Sequence, residues 1–401
     1  MQTIIITGGR TLQGAICPET AKNSVLPLLA ASLLCQGTVR LRAVGAGVQR
    51  CGSELLLCAE APLCGQIPAP LSGAMRSSVF YLAPLLCRVG SVRLPLPGGC
   101  RLGPRPVDIH LAGLAALGAA VELEGDAVTL RAPGGLHGAD FALRLPSVGA
   151  TLTLMMAACC AVGTTVLRGA ACEPEVADTA RFLSQCGAQI QGAGTPTLVI
   201  QGAEVLHGTA YTPMPDRIAA ATYAAALACA GGEVSIARCR PAYYAAFLSF
   251  LQRCGVEIFF GSDSVTLRRD PAVPLHGAQT LCANAWPAFA TDTAPLAAAV
   301  LLCADAPSEI YDALFARRFA CAAGFAAMGA VCSEQGRRLQ MQGGAQLHGA
   351  EVSAPDLRGG AALLLAALAA EGTTLLHDAG HLARGYADLP GQLAALGADV
   401  R

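Results

Sequence analysis

The sequence predicts an α/β protein of two domains, assembled from six similar units of helix and strand. Three observations predict it. First, helix-to-strand joints recur along the chain: Cys35-Gln36-Gly37-Thr38-Val39, Arg88-Val89-Gly90-Ser91-Val92, Ala161-Val162-Gly163-Thr164-Thr165, Ala230-Gly231-Gly232-Glu233-Val234, Ala304-Asp305-Ala306-Pro307-Ser308 and Ala370-Glu371-Gly372-Thr373-Thr374. Second, a later helix end recurs: Leu117-Gly118-Ala119, Cys186-Gly187-Ala188, Cys254-Gly255-Val256, Met328-Gly329-Ala330 and Leu396-Gly397-Ala398. Third, hydrophobic content is 53% with aromatics at only 5%, so the apolar residues are mostly small ones that suit closely packed helices. Self-similarity at a fixed period is the mark of a repeated supersecondary unit. At 401 residues the chain can bury two cores.

Each unit reads as βαβαββ-like: an entry strand, an Ala/Leu-rich helix, a β-branched strand after Gly, a second helix, then further strand. Gly after the second helix is the usual left-handed helix stop. From joint Gly to end Gly the spacings are 28 (Gly90 to Gly118), 24 (Gly163 to Gly187), 23 (Gly232 to Gly255) and 25 (Gly372 to Gly397). The first unit is shortened. The next comparable glycine after Gly37 is Gly52, 15 positions on, which removes room for a second helix and puts a strand in question. The second unit is long because of an added loop, Leu94 to Pro106. Six units suggest two domains of three, and the groove between such domains is the default place for a ligand.

A net charge of −1 argues against nucleic acid as a partner. The apolar runs Leu26 to Cys35 and Ala361 to Ala370 are too short to span a bilayer, so no membrane is expected. Met1 to Arg10 does not read as a signal peptide, and the expected location is the cytoplasm. Eighteen cysteines in a chain of this kind read as reduced, mostly buried small hydrophobes. Without a Cys-x-x-Cys pair, zinc is not expected, and no cofactor is implied. Thr7-Gly8-Gly9-Arg10 lacks the glycine spacing of a phosphate loop, and Leu12-Gln13-Gly14 after it reads as a turn into another strand.

Two local features carry chemistry. The chain has 27 Lys plus Arg, and Lys22 is the one lysine, leaving 27 − 1 = 26 arginines. Asn is nearly as rare, at Asn23 and Asn284. A lysine kept where every other base has become Arg marks a place where a compact, movable ammonium is needed. The second feature is Cys100, set among Pro and Gly and flanked by Arg101 and Arg105, cations that favour a thiolate.

The stretches around these residues resemble the enolpyruvyl transferases, in particular the branch that acts on a UDP-sugar. They are Ala21-Lys22-Asn23-Ser24-Val25-Leu26-Pro27, Met75-Arg76-Ser77-Ser78 and Pro97-Gly98-Gly99-Cys100-Arg101-Leu102-Gly103-Pro104-Arg105-Pro106-Val107-Asp108-Ile109-His110. Pro146-Ser147-Val148-Gly149-Ala150-Thr151, Pro215-Asp216-Arg217, Phe289-Ala290-Thr291-Asp292, Asp356-Leu357-Arg358 and Arg384-Gly385-Tyr386 agree. The resemblance covers nearly the whole chain. It implies a two-domain inside-out α/β barrel. Residues 22–214 would carry Lys22 and the Cys100 loop. Residues 1–21 with 215–401 would carry the base and the C-terminal arginines.

The implied reaction moves enolpyruvate from phosphoenolpyruvate to the 3′-hydroxyl of UDP-N-acetylglucosamine and releases phosphate. This is the first committed step of peptidoglycan precursor synthesis, with both substrates small molecules and the enzyme a monomer. By resemblance, Lys22, Arg105 and Arg384 bind phosphoenolpyruvate, with Arg76 and Arg358 nearby. Asp292 is the general base and Cys100 the general acid that also forms a covalent adduct. Asn23, Arg105, Pro106, Val107, Asp108, Ser147, Val148, Gly149, Asp292 and Leu314 line the sugar groove. His110 receives no catalytic role. The chain departs from the family at Ala290, at Thr293-Ala294 and within Phe315-Ala316-Arg317-Arg318, where the family usually has Phe-Glu-Asn-Arg. A transferase using another acceptor, and a UDP-sugar-binding paralogue with weak turnover, therefore stand as alternative readings.

Overall fold

Each unit is organised around one short strand. In the third, Thr164–Arg168 pairs antiparallel with Thr197–Gln201 and parallel with Asp140–Ala142. In the fourth, Gly232–Ile236 lies antiparallel to Val265–Arg269 and parallel to Leu12–Ile16. In the fifth, Ser308–Asp312 lies antiparallel to Arg338–Met341 and parallel to Thr280–Asn284. In the sixth, Thr373–Asp378 runs parallel to Glu351–Ser353, and its antiparallel partner is the strand Gln2–Thr7. The first two strands of the chain thus complete two units of the C-terminal half. Residues 8–11 link those strands, and Leu12-Gln13-Gly14, expected as the turn, instead lies within the second strand, where Gly14 takes part in the pairing with Val234.

The computed structural model describes residues 2–42, 54–59, 63–95 and 107–401. Cys100, Arg105 and Pro106 lie outside the described residues, as does the stretch where the first unit is short. In that unit Thr38–Arg42 pairs antiparallel with Glu54–Cys58 and parallel with Ala210–Tyr211. Other units continue through a second helix into two strands. Here the described residues show a single strand and no helix, so the hairpin survives the shortening. In the second unit Ala127–Arg131 pairs with both Ser91–Pro95 and Ala120–Glu124. The five second-helix ends behave as expected: Gly118, Gly187, Gly255, Gly329 and Gly397 have φ of 100°, 111°, 96°, 90° and 101°. An L side chain is strained in that region, so glycine closes each helix without that cost.

Helices lie inside and sheets outside. Arg217–Ala230 and Ala294–Leu302 are buried along their whole length, as is Leu357–Ala369 from Arg358 to Leu368. These three helices pack on one another. In the other half, Val148–Ala158 is buried from Ala150 onward and packs against Leu82–Val89 and Pro174–Gln185. A helix apolar on every side has no solvent face to offer. Alanine lets such helices approach closely, and leucines such as Leu363, Leu364 and Leu365 fill the remaining space, each burial stabilising by roughly 1.5–3 kcal/mol. The strands alternate instead. Thr38–Arg42, Thr164–Arg168 and Thr197–Gln201 bury their second and fourth residues and leave both ends exposed, as sheets with one wet face do.

Two hydrophobic cores result. One joins Ile4, Ile6 and Leu12 to residues from Ala219 to Val400; the other runs from Val25 to Tyr211. The two passages between them lie side by side: the Ala21 amide donates to the Met214 carbonyl at 2.8 Å, and the Asp216 amide to the Glu19 carbonyl at 2.7 Å. Beside them Arg217 Nε donates to Glu175 Oε1 at 2.9 Å, a buried ion pair between residues of the two halves. No helix among the described residues is long and apolar enough to cross a membrane.

Candidate active site

The inner helices begin where the candidate residues stand. Lys22 is the first residue of Lys22–Ala31. Asp216 caps Arg217–Ala230, accepting from the Ile218 and Ala219 amides at 2.7 and 3.0 Å. Asp356 caps Leu357–Ala369, accepting from the Arg358 and Gly359 amides at 2.9 Å each. Ser147 caps Val148–Ala158 through the Ala150 amide at 3.3 Å. Asp292 sits in the tight turn Thr291–Thr293 that feeds Ala294–Leu302. Helix N-termini carry spare N–H groups and the positive end of the dipole, which favours anions.

Lys22 is half-buried and within electrostatic reach of Arg358, Asp292, Asp216 and Arg384. Burial lowers its pKa below the ordinary lysine value, and Arg358 adds to the effect; Asp292 and Asp216 pull the other way. Arg358 is buried with its Nε 3.7 Å from Asp292 Oδ1. Its Nη1 donates to the Tyr386 hydroxyl at 3.3 Å, which in turn meets Thr222 Oγ1 at 2.9 Å. Arg384 is exposed at the end of the turn Leu382–Arg384, which Asp378 holds through the His381 and Leu382 amides at 2.7 and 3.2 Å.

A second group surrounds His110. Its Nδ1 lies 3.0 Å from Thr153 Oγ1, and a Cβ added at Gly149 would come within 3.1 Å of its ring. Burial, reinforced by Arg76, pushes His110 down to about 4, against a smaller opposing pull from Asp108. At 6% exposure His110 is a neutral, packed imidazole of the core. Arg76, Asp108 and Gly149 thereby share one neighbourhood, with Val107, Ser147 and Val148 beside them in the chain. Asp108 also accepts from Arg144 at 2.5 Å on the surface.

The structure therefore groups Lys22, Asp292, Arg358 and Arg384, with Asn23 next to Lys22 on its helix. Leu314 has an exposed side chain, and its amide donates to Asp312 Oδ1 at 2.8 Å. Asp312 leads to a residue to which sequence reasoning assigned no role. Arg318, 2% exposed, reaches Thr291 Oγ1 at 3.0 Å, Asp312 Oδ2 at 3.5 Å and Asp292 Oδ1 at 3.5 Å. Its guanidinium lies over the Phe315 ring at 4.5 Å. The Thr291 hydroxyl donates to Asp312 Oδ2, and Asp312 accepts the Phe315 amide at 2.7 Å as well. Arg318 is the last residue of the altered stretch Phe315-Ala316-Arg317-Arg318, where only the phenylalanine and this arginine keep the family pattern. That retention was the available signal.

The result is one carboxylate, Asp292, 31% exposed, held between two buried guanidinium groups. Such a carboxylate can accept a proton from a bound hydroxyl. The cations around Lys22 can hold a ligand with two anionic groups, Arg as bidentate forks and Lys as a point charge. No group of three or more His, Cys, Asp or Glu among the described residues is placed to hold a metal ion.

Residues 6–393 match the EPSP synthase (3-phosphoshikimate 1-carboxyvinyltransferase) family. The chain is 39% identical to UDP-N-acetylglucosamine 1-carboxyvinyltransferase 2 of Mesorhizobium japonicum, over 100% of this chain and 99% of that protein. It is 37% identical to UDP-N-acetylglucosamine 1-carboxyvinyltransferase 1 of Staphylococcus aureus, over the same shares. Among solved structures, the enolpyruvyl transferase NikO from Streptomyces tendae superposes with a TM-score of 0.88 at 28% identity, covering 100% of this chain and 98% of that one. EPSP synthase from Acinetobacter baumannii superposes with a TM-score of 0.75 at 16% identity over 100% and 99%, a likeness of fold alone.

Proposed function

Because the chain belongs to the EPSP synthase family, and within it to the UDP-N-acetylglucosamine 1-carboxyvinyltransferases, we propose that it makes enolpyruvyl-UDP-N-acetylglucosamine. Enolpyruvate passes from phosphoenolpyruvate to the 3′-hydroxyl of UDP-N-acetylglucosamine, and phosphate leaves. The observation that carries this reading is the placement of the chain's one lysine at a helix start, facing Arg358, Arg384 and Asp292.

Phosphoenolpyruvate brings a phosphate and a carboxylate, and Lys22, Arg358 and Arg384 supply cations for both. Asp292 takes the proton of the 3′-hydroxyl as that oxygen bonds to C2 of the enol, while C3 is protonated. Loss of a proton from C3 then expels phosphate and restores the double bond. Removing one preorganised donor from such a site typically costs ~2.7–4 kcal/mol. The resemblance assigns the acid role to Cys100 and further phosphoenolpyruvate contacts to Arg105. By the same resemblance Arg76 stands near the phosphoenolpyruvate cations, and Asn23, Arg105, Pro106, Val107, Asp108, Ser147, Val148, Gly149, Asp292 and Leu314 would line the sugar groove.

The two hydrophobic cores support a division into residues 22–214 and residues 1–21 with 215–401, closing around the substrates. The product would enter cell-wall synthesis in the cytoplasm and so serve growth and division, with the enzyme acting as a monomer. The test is phosphate release from phosphoenolpyruvate with UDP-N-acetylglucosamine present. Release only with a different acceptor would move the chain to another transferase of the family. Tight UDP-sugar binding with no release would make it a binding paralogue.

A further inference from the structure

Asp312 is a fully buried carboxylate to which neither the sequence nor the proposed reaction gives a role. It ends the strand Ser308–Asp312, where the sheet fixes the backbone on both sides. Its own amide donates to the Arg337 carbonyl at 2.8 Å, and the Ala313 amide to the Ala283 carbonyl at 2.9 Å. The short strand Phe289–Ala290 belongs to the same sheet, and both it and Ser308–Asp312 run parallel to Thr280–Asn284 between them. Ala290 and Asp312 therefore stand at C-terminal strand ends on one side of the sheet, and Thr291 and Asp292 follow directly.

The two oxygens of Asp312 face different neighbours. Oδ1 accepts the Leu314 amide at 2.8 Å and the Phe315 amide at 2.7 Å, which holds the segment proposed to meet the sugar. Oδ2 accepts the Thr291 hydroxyl and lies 3.5 Å from Arg318 Nε. Arg318 Nε also donates to Thr291 Oγ1 at 3.0 Å, and its Nη1 is 3.5 Å from Asp292 Oδ1. A buried carboxylate needs a cation and hydrogen bonds to offset its lost hydration, and Asp312 has both. Arg318 is thus shared by two carboxylates, one sealed in the core and one open to substrate.

We infer that Asp312 is the positioning residue for Asp292: it draws Arg318 away from that carboxylate and anchors the turn that carries it. The inference rests on the proposed reaction, with Asp292 as the base. The division of labour between the two oxygens makes the role separable. In Asp312→Asn an amide oxygen can keep the Leu314 and Phe315 amides, while the NH2 group puts a donor where Thr291 and Arg318 need an acceptor. Arg318 then loses the Asp312 charge and closes on Asp292, and the turn Thr291–Thr293 moves with it. Misplacing a reacting group by ~1 Å can cost about 10²-fold in rate.

The test compares the full chain as wild type, Asp312→Asn, Asp292→Asn and the double variant. Steady-state phosphate release gives kcat, and calorimetric titration with UDP-N-acetylglucosamine gives Kd and counts the folded sites. Asp312→Asn should lower kcat per folded site by about 10²-fold, with the UDP-sugar Kd within a few-fold of wild type. In the Asp292→Asn background the same substitution should change kcat by no more than a few-fold, because the group it positions has already gone. Thr291→Val leaves every charge in place and should show the same pattern to a smaller extent, so the inference stays testable if Asp312→Asn fails to fold. A full second loss of about 10²-fold in the double variant, or a loss of UDP-sugar affinity as large as the loss of kcat, would overturn the inference. Wild-type protein that releases no phosphate would overturn the proposed reaction and this inference with it. Wild-type turnover with kcat unchanged in Asp312→Asn and Thr291→Val would overturn this inference alone.

Discussion

Replacing Lys22 with arginine keeps the charge and removes the properties that set lysine apart. In the structure Lys22 opens a helix, is half-buried, and has Arg358 and Arg384 within electrostatic reach on one side and Asp292 and Asp216 on the other. A guanidinium is larger, planar and always protonated, so in this crowded cluster it cannot follow a phosphate as a flexible ammonium can. If the variant loses one donor to the transferring group, the cost is ~2.7–4 kcal/mol, or about 10²–10³ in kcat. The pH dependence sharpens the test. Burial and Arg358 lower the Lys22 pKa, so the wild-type rate should fall on the alkaline side earlier than an ordinary lysine would dictate. Arginine does not titrate there, so that limb should disappear in Lys22→Arg even as the plateau drops. Phosphate release measured from neutral to alkaline pH reads both effects. A variant with wild-type kcat/KM and an unchanged alkaline limb would refute the role given to Lys22.

Other consequences follow from the same contacts. Asp292→Asn should lower kcat by roughly 10²–10⁴ while UDP-sugar affinity, read by calorimetry, stays within a few-fold of wild type. Arg318→Met leaves Asp312 buried at 0% exposure without its cation, so urea unfolding should show a loss of about 3 kcal/mol; the hydrogen bonds Asp312 keeps place it at the low end for a broken buried pair. His110 titrates at about 4 in the folded chain against an ordinary 6.5, so the unfolded chain binds the proton first as pH falls. Stability should therefore drop as pH falls from 6.5 and level off near 4, by about 3 kcal/mol in all, and His110→Gln should remove most of that slope.

The repeated architecture was legible because its punctuation is chemical. Glycines that must take positive φ recur at fixed intervals, and no other residue fills that role as cheaply. The inner helices were legible as Ala/Leu runs, although without a polar face their boundaries came from glycine and capping residues. Lys22 stood out because the rest of the chain had become arginine. For the same reason Arg318 did not stand out, and Arg217 entered only as part of a family-like stretch with no role of its own: among 26 arginines, these two that bridge buried carboxylates look like any other. The use of Gln2–Thr7 to complete the last unit was not legible either, since strand partners far apart in sequence are chosen by the sheet and not by local pattern.

The most direct measurement is phosphate release by the purified wild-type chain given phosphoenolpyruvate, with and without UDP-N-acetylglucosamine. The account predicts sustained release that requires the UDP-sugar and stays coupled one-to-one to enolpyruvyl-UDP-sugar formation. Failure to release phosphate with this acceptor, in protein that still binds it, would contradict it.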